Sequence, residues 1–160
     1  MVKFKKAIFL LFGINSFFSI KIISIILNFF FDKFFREYFT KKLEERNIEL
    51  VNNVKLQYVD EKWNLDAVQN IGVNALEQGL ILKVVDLKNN IIWDATHYNS
   101  GICEKMMSTI TFRMNSKYPS LKGGYTTKDY ELKVEDKNIG YIAIGYYGPF
   151  YYTDQEFYFI

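Results

Sequence analysis

Apolar positions fall into two regimes along the chain. From Ala7 to Phe31 they are nearly continuous, AIFLLFGINSFFSIKIISIILNFFF, with eighteen apolar residues among 25 and Lys21 as the only charge. A helix of that length reaches about 37 Å, more than the ~30 Å hydrocarbon core of a bilayer. No polar face recurs every three or four residues, so the pattern predicts a transmembrane helix rather than a helix buried in a soluble core. A cleaved signal peptide would want a shorter apolar run and a small-residue cleavage site, and no such site follows. Lys21 costs roughly 2.5–3.5 kcal/mol at mid-membrane, which its apolar neighbours offset and snorkelling lowers.

After Phe31 the pattern becomes periodic. Phe35, Phe39, Leu43, Leu50 or Val51, Val54 and Tyr58 recur at helical spacing among charged residues, and no Gly or Pro separates them from the apolar run. One long helix that leaves the bilayer and enters a domain is predicted over this stretch. Asn64 is placed to cap a second helix with Leu65, Val68, Ile71, Ala75 and Leu76 on one side, and Gly79 to terminate it. LILKVVDLKNNIIWDA reads as two short strands around a polar turn at Lys88-Asn89-Asn90. A third helix is expected from Asn99 or Ser100, with Ile102, Met106, Met107, Ile110 and Met114 apolar, ending over Asn115 to Pro119.

The last third is strand-like. Tyr130, Leu132 and Val134 alternate with Glu131 and Lys133, Glu135 to Asn138 turn the chain, and Gly140 to Tyr147 returns as a more buried strand ended by Gly148-Pro149. The expected fold class is α/β in the broad sense, more narrowly α+β: an antiparallel sheet with helices packed on it. Thr153-Asp-Gln-Glu156 has the form of a capping box, followed by Phe157-Tyr-Phe-Ile160. Residues 153–160 are therefore expected to start a truncated second transmembrane helix.

Charge sets the orientation. The 160 residues suffice for one domain of ordinary size. The first 31 carry four Lys and no acid, a charge of +4, whereas the remainder carries −2. The net +2 is thus no basic surface, and nucleic-acid binding loses its electrostatic footprint. Lys3, Lys5 and Lys6 precede the span, so residues 1–6 are expected in the cytoplasm, 7–31 in the membrane and 32–152 as an extracytoplasmic domain. A lone Cys103 excludes a disulfide scaffold and reads as a small apolar residue on a helix face.

Candidate chemistry is sparse. The single histidine, His97, follows Asp94 without the fixed partners that acid/base, zinc or triad chemistry needs, and reads as a loop residue. Neither Gly123-Gly124 nor Gly145-x-x-Gly148 matches a phosphate loop. Asp129, Glu131, Glu135 and Asp136 read as solvated strand and turn positions. Among the aromatic residues, Tyr141, Tyr146 and Tyr147 are assigned to the sheet core, and Phe150 to Tyr152 to a belt at the membrane surface. No catalytic, cofactor-binding or metal-ligating residue emerges. Trp93, His97, Tyr146 and Tyr147 stand as candidate contacts for a ligand or signal.

The order of parts, with Asn74-Ala-Leu-Glu-Gln-Gly-Leu-Ile-Leu-Lys83, Ile91-Ile-Trp-Asp-Ala95 and Ile144-Gly-Tyr-Tyr-Gly-Pro-Phe-Tyr-Tyr152, resembles the N-terminal sensor region of membrane-bound bacterial sensor histidine kinases of low-GC Gram-positive type. The resemblance covers essentially the whole chain. It implies a PAS-like extracytoplasmic sensor domain in a homodimer, with Phe31, Phe35, Phe39 and Leu43 on the helix that transmits the signal. In complete members a cytoplasmic module using ATP and Mg phosphorylates its own histidine and passes the phosphoryl group to a response regulator. This chain departs from that pattern: it lacks the His-Glu-x-x-x-Pro phosphoacceptor box and the Asn and glycine boxes of the ATP-binding module. It therefore reads as the input module without the kinase. The alternative is a stand-alone membrane-anchored extracytoplasmic binding or accessory protein.

Overall fold

A computed structural model of the chain describes residues 2–157. Helix α1 spans Val2–Lys55. A small hairpin follows, β1 (Tyr58–Val59) and β2 (Lys62–Trp63), then α2 (Leu65–Glu77), β3 (Ile81–Asp86), β4 (Ile91–Asp94), α3 (Ala95–Lys117), β5 (Gly124–Val134), β6 (Lys137–Gly148) and the short α4 (Asp154–Phe157). The chain divides into two compact units, Met1–Tyr38 and Phe39–Ile160. In the first, every residue from Phe12 to Phe31 is exposed. Its described ion pairs, Arg36–Asp32 at 2.5 Å and Lys33–Glu37 at 3.9 Å, link neighbouring turns of the helix.

The second unit is built on a four-stranded antiparallel sheet in the order β4-β3-β6-β5. Strands β3 and β6, the first and last of the sheet in sequence, are its central neighbours. Residues paired across strands share a face. Trp93, Val84, Ile142 and Tyr130 form one row, and Leu82, Ile144 and Lys128 the next. The opposite face carries Lys83 and Ala143, then Gly145, Tyr147 and Tyr125. Helices α1 and α2 cover the first face: Glu44 of α1 accepts a 2.7 Å hydrogen bond from Lys128, and Gly72 of α2 lies against the Trp93 ring. Helix α3 packs on β3, β4 and β6 from the other side, bringing Cys103 beside Asp94 and Tyr125.

Within this unit α1 buries Phe39, Leu43, Asn47, Leu50 and Val54. Their spacing of three or four residues is one stripe of a helix, and each apolar member contributes about 1.5–3 kcal/mol by leaving water. The second helix follows its signals: the Asn64 side chain accepts from the Ala67 amide at 3.2 Å, and Gly79 takes φ of 84°. The mixed architecture, the antiparallel sheet and the long apolar N-terminal helix agree with the sequence reading.

Several local expectations change. Helix α1 stops at Lys55 because residues 56–63 turn into the β1–β2 hairpin, where Tyr58 pairs with Trp63. Helix α3 begins four residues before Asn99, capped by Asp94, whose carboxylate accepts from the Thr96 amide at 2.8 Å. Asn99 still acts as a cap, because the helix kinks there and its side chain accepts from the Ile102 amide at 3.0 Å. Ile102 is half exposed rather than core. Phe150, Tyr151 and Tyr152 form no surface belt: all three are buried, with Tyr152 edge-on to Phe39 at 4.7 Å and close to Tyr118. Tyr141 faces solvent, whereas Tyr147 is buried as expected. Residues 158–160 of the expected second membrane helix lie outside the described residues.

Gly72 tests the first-face packing. A Cβ there would collide with the Trp93 ring, so Gly72→Ala is expected to destabilise the full chain by about 1–3 kcal/mol through overpacking. Adding Trp93→Phe should recover part of the loss. Urea unfolding in detergent, followed by near-ultraviolet circular dichroism, measures both.

Candidate functional site

The four candidate signal contacts do not converge. Trp93 is buried on the first sheet face, and Tyr146 is half-buried on that face toward the other end of β6. Tyr147 sits on the opposite face, its ring 6.0 Å from Tyr125, and burial raises its phenol pKa. His97 is three-quarters exposed at the start of α3, with Nδ1 3.4 Å from Asp94. Asp94 also faces Lys83 at 3.7 Å and accepts from the Thr96 hydroxyl at 2.6 Å. Burial pushes the Asp94 carboxyl up, but the bonds from Thr96 and His97 outweigh it, and its pKa falls below the usual carboxylate value. This carboxylate caps a helix. Of the expected transmitting stripe, Phe31 and Phe35 are exposed, whereas Phe39 and Leu43 enter the core of the second unit. No cluster of three or more His, Cys, Asp or Glu suited to a metal ion occurs among the described residues.

The densest polar arrangement lies where the C-terminal segment crosses α1. Thr153 and Glu156 form the capping box: the Thr153 amide donates to Glu156 Oε2 at 2.9 Å, and the Glu156 amide to Thr153 Oγ1 at 3.3 Å. Glu156 then uses its other oxygen on α1, 2.5 Å from Lys42 Nζ and 3.7 Å from Arg46. One turn earlier in the segment, Tyr151 donates to the Gln78 carbonyl at 2.5 Å and accepts from Arg46 at 3.4 Å. The C-terminal end of α2, the first turns of α1 in this unit and the C-terminal segment are therefore tied together by four side chains, Lys42, Arg46, Tyr151 and Glu156. Burial raises the Tyr151 phenol to about 12 despite the nearby Arg46. Below this clasp the rings of Phe39, Tyr118, Phe150 and Tyr152 pack edge to face. Sequence reasoning found the capping box but not its second use, because the partner residues lie more than a hundred positions away.

Next to Arg46 on α1, Asn47 is fully buried, and neither side-chain atom has a hydrogen-bond partner. It lies beside the Tyr130 phenol and favours its ionised form, yet burial prevails and the Tyr130 pKa is raised. No aligned hydrogen bond joins the two, and the phenol oxygen is likewise unpartnered. A polar layer of this kind weakens the seam between α1 and the sheet, since each desolvated, unpaired group costs about 1–3 kcal/mol.

The long N-terminal helix is apolar enough to cross a membrane, and its apolar window is not buried by the rest of the chain. Its length and composition suit either a membrane span or a signal sequence.

The clasp predicts a pH dependence. Burial raises the Glu156 carboxyl, but Lys42 and Thr153 lower it further, so its folded pKa lies below 4.5. Such a group stabilises the fold fully above its unfolded pKa and loses the contribution as pH falls through the folded value. Glu156→Gln is expected to cost about 1–2 kcal/mol at pH 7 and to lessen the stability lost on acidification below pH 4.5. Thermal unfolding of both proteins across that range, in the same detergent, measures the difference.

No family model matches the chain, and neither does any curated protein or solved structure.

Proposed function

We propose that the protein is a membrane-anchored sensor: an N-terminal transmembrane helix carrying a PAS-like extracytoplasmic domain, the input module of a two-component sensor histidine kinase. The observation that carries the reading is the pairing of an apolar helical segment, exposed along its whole length from Phe12 to Phe31, with an α+β unit that has its own core. Twenty exposed, mostly apolar residues are costly in water and favourable in lipid. Lys3, Lys5 and Lys6 support a cytoplasmic N-terminus.

Three features of the folded unit support the sensor reading. The first and last strands of the sheet are its central pair, with helices on both faces, an arrangement in keeping with a PAS-like domain. The clasp at Glu156 and Tyr151 joins the C-terminal segment to α1, so a change felt by one is passed to the other. The unpaired Asn47 leaves the α1 seam less stable than an all-apolar one, which suits an element that shifts between two packings. Signalling in this reading is a population shift between those packings, relayed by a homodimer to a kinase module that acts on a response regulator.

Topology is tested by cysteine labelling. In a Cys103→Ala background, Thr127→Cys places a thiol on the exposed part of β5 and Lys3→Cys one before the span. A membrane-impermeant maleimide is expected to label Thr127→Cys in intact cells and Lys3→Cys only after permeabilisation. Labelling of Thr127→Cys only after lysis contradicts the extracytoplasmic placement, and recovery of the chain in the soluble fraction contradicts the anchor. The kinase connection is read from DNA: a His-Glu-x-x-x-Pro box encoded after the Ile160 codon, in the same or a shifted frame, is expected. A stop followed by unrelated sequence removes the kinase output and leaves an anchored binding protein.

A further inference from the structure

A groove of about 390 Å³ opens between the C-terminal end of α2, the middle of α3 and the C-terminal segment. Leu76, Met106 and Ile110 form its walls, and Ile102 stands at the lip with 49% of its surface exposed. Gly79 keeps the floor thin, since a Cβ there would come within 2.8 Å of Ile110 and 2.9 Å of the Tyr151 ring. The polar atoms of the floor are already committed. Tyr151 donates to the Gln78 carbonyl and the Thr153 hydroxyl to Glu156, so neither requires a polar partner from an occupant. The body of a ligand seated here is therefore apolar.

Charge selects its head. Two cations of α3, Lys105 and Arg113, line the groove against one carboxylate, Glu77. Arg113 is steadied by donating to the Tyr152 carbonyl at 3.1 Å. The Lys105 ammonium makes no hydrogen bond or ion pair among the described residues, although it borders an apolar wall. The volume lies at the small end of ligand pockets, which run from about 300 to 1,000 Å³, and it suits one alkyl chain rather than the two of a diacyl lipid.

We propose that this groove binds a water-borne, single-chain amphiphile with an anionic head, a fatty carboxylate being the simplest case. The chain lies along Ile102, Met106 and Ile110, and the head pairs with Lys105. Because Tyr151 and Thr153 belong both to the groove and to the segment fastened by Glu156, occupancy bears directly on the clasp to α1. That consequence rests on the sensor reading; the binding itself does not.

The test uses the full chain in nanodiscs of zwitterionic lipid, labelled with ¹³C at the methionine methyl groups and titrated with decanoate. The Met106 resonance, assigned through Met106→Leu, is expected to shift with saturation. That of Met114, which is buried and does not line the groove, is expected to stay. Decyltrimethylammonium should produce no saturable shift. Lys105→Glu should raise the half-saturating decanoate concentration about tenfold, the loss of one charge-assisted contact. Thr109→Trp, which fills the groove, should abolish the Met106 response while the Met114 signal reports an intact fold. A shift that never saturates, an equal response to the cationic amphiphile, or an unchanged Lys105→Glu variant overturns the proposal. These outcomes leave the membrane topology untouched, and saturable binding by a chain labelled only after cell lysis would sink the sensor reading alone.

Discussion

The folded unit depends on covering one strand twice. Strand β6 buries Ile142, Ile144 and Tyr147, residues that point to opposite faces of the sheet. A strand apolar on both sides is stable only where both sides are shielded. Helix α1, with α2, shields one side and α3 the other, which is why a long N-terminal helix is an integral part of this core rather than an appendage. The stripe from Phe39 to Val54 is thus committed to the sheet, and the same helix presents only exposed residues from Phe12 to Phe31. Two solvents are written into one helix.

The C-terminal segment closes the core by a different device. Three consecutive aromatic residues after Pro149 turn inward, filling the end of the unit between α1 and α3. Burying two phenols there is affordable because each finds a partner: Tyr151 reaches the Gln78 carbonyl and Tyr152 the hydroxyl of Tyr118 at 2.6 Å. Fastening the segment therefore relies on hydrogen bonds and ion pairs as well as apolar contact. Such contacts are directional and are lost over short displacements, whereas apolar burial is not. A unit whose entering helix and final segment meet through directional bonds is held by contacts sensitive to small displacements, and the unpaired Asn47 lies in the adjacent seam.

Three carboxylates with lowered pKa values serve structural ends: Asp94 caps α3, Asp86 organises the turn to Asn90, and Glu156 fastens the clasp. In the apolar groove beside that clasp, the Lys105 cation borders apolar walls, and the groove shares residues with the segment that reaches α1.

The sequence alone determined much of this. Continuous apolar residues defined the N-terminal helix, local capping chemistry located α2 and α4, and alternation marked the strands, because each of these signals acts within a few residues of itself. The kinked start of α3 is half legible: Asn99 reads as a cap, but Asp94 five residues earlier also caps, and only packing decides that both are used. By sequence Phe150 to Tyr152 suit a surface belt, yet they are buried, since an aromatic run has the same composition whether it meets lipid or another ring. The tertiary structure alone decided the pairing of the first strand with the last, the second use of Glu156 on Lys42 and Arg46, and the burial of Asn47. These depend on residues separated by dozens to more than a hundred positions, where local preference carries no information and only the covering of a two-faced sheet selects the partner.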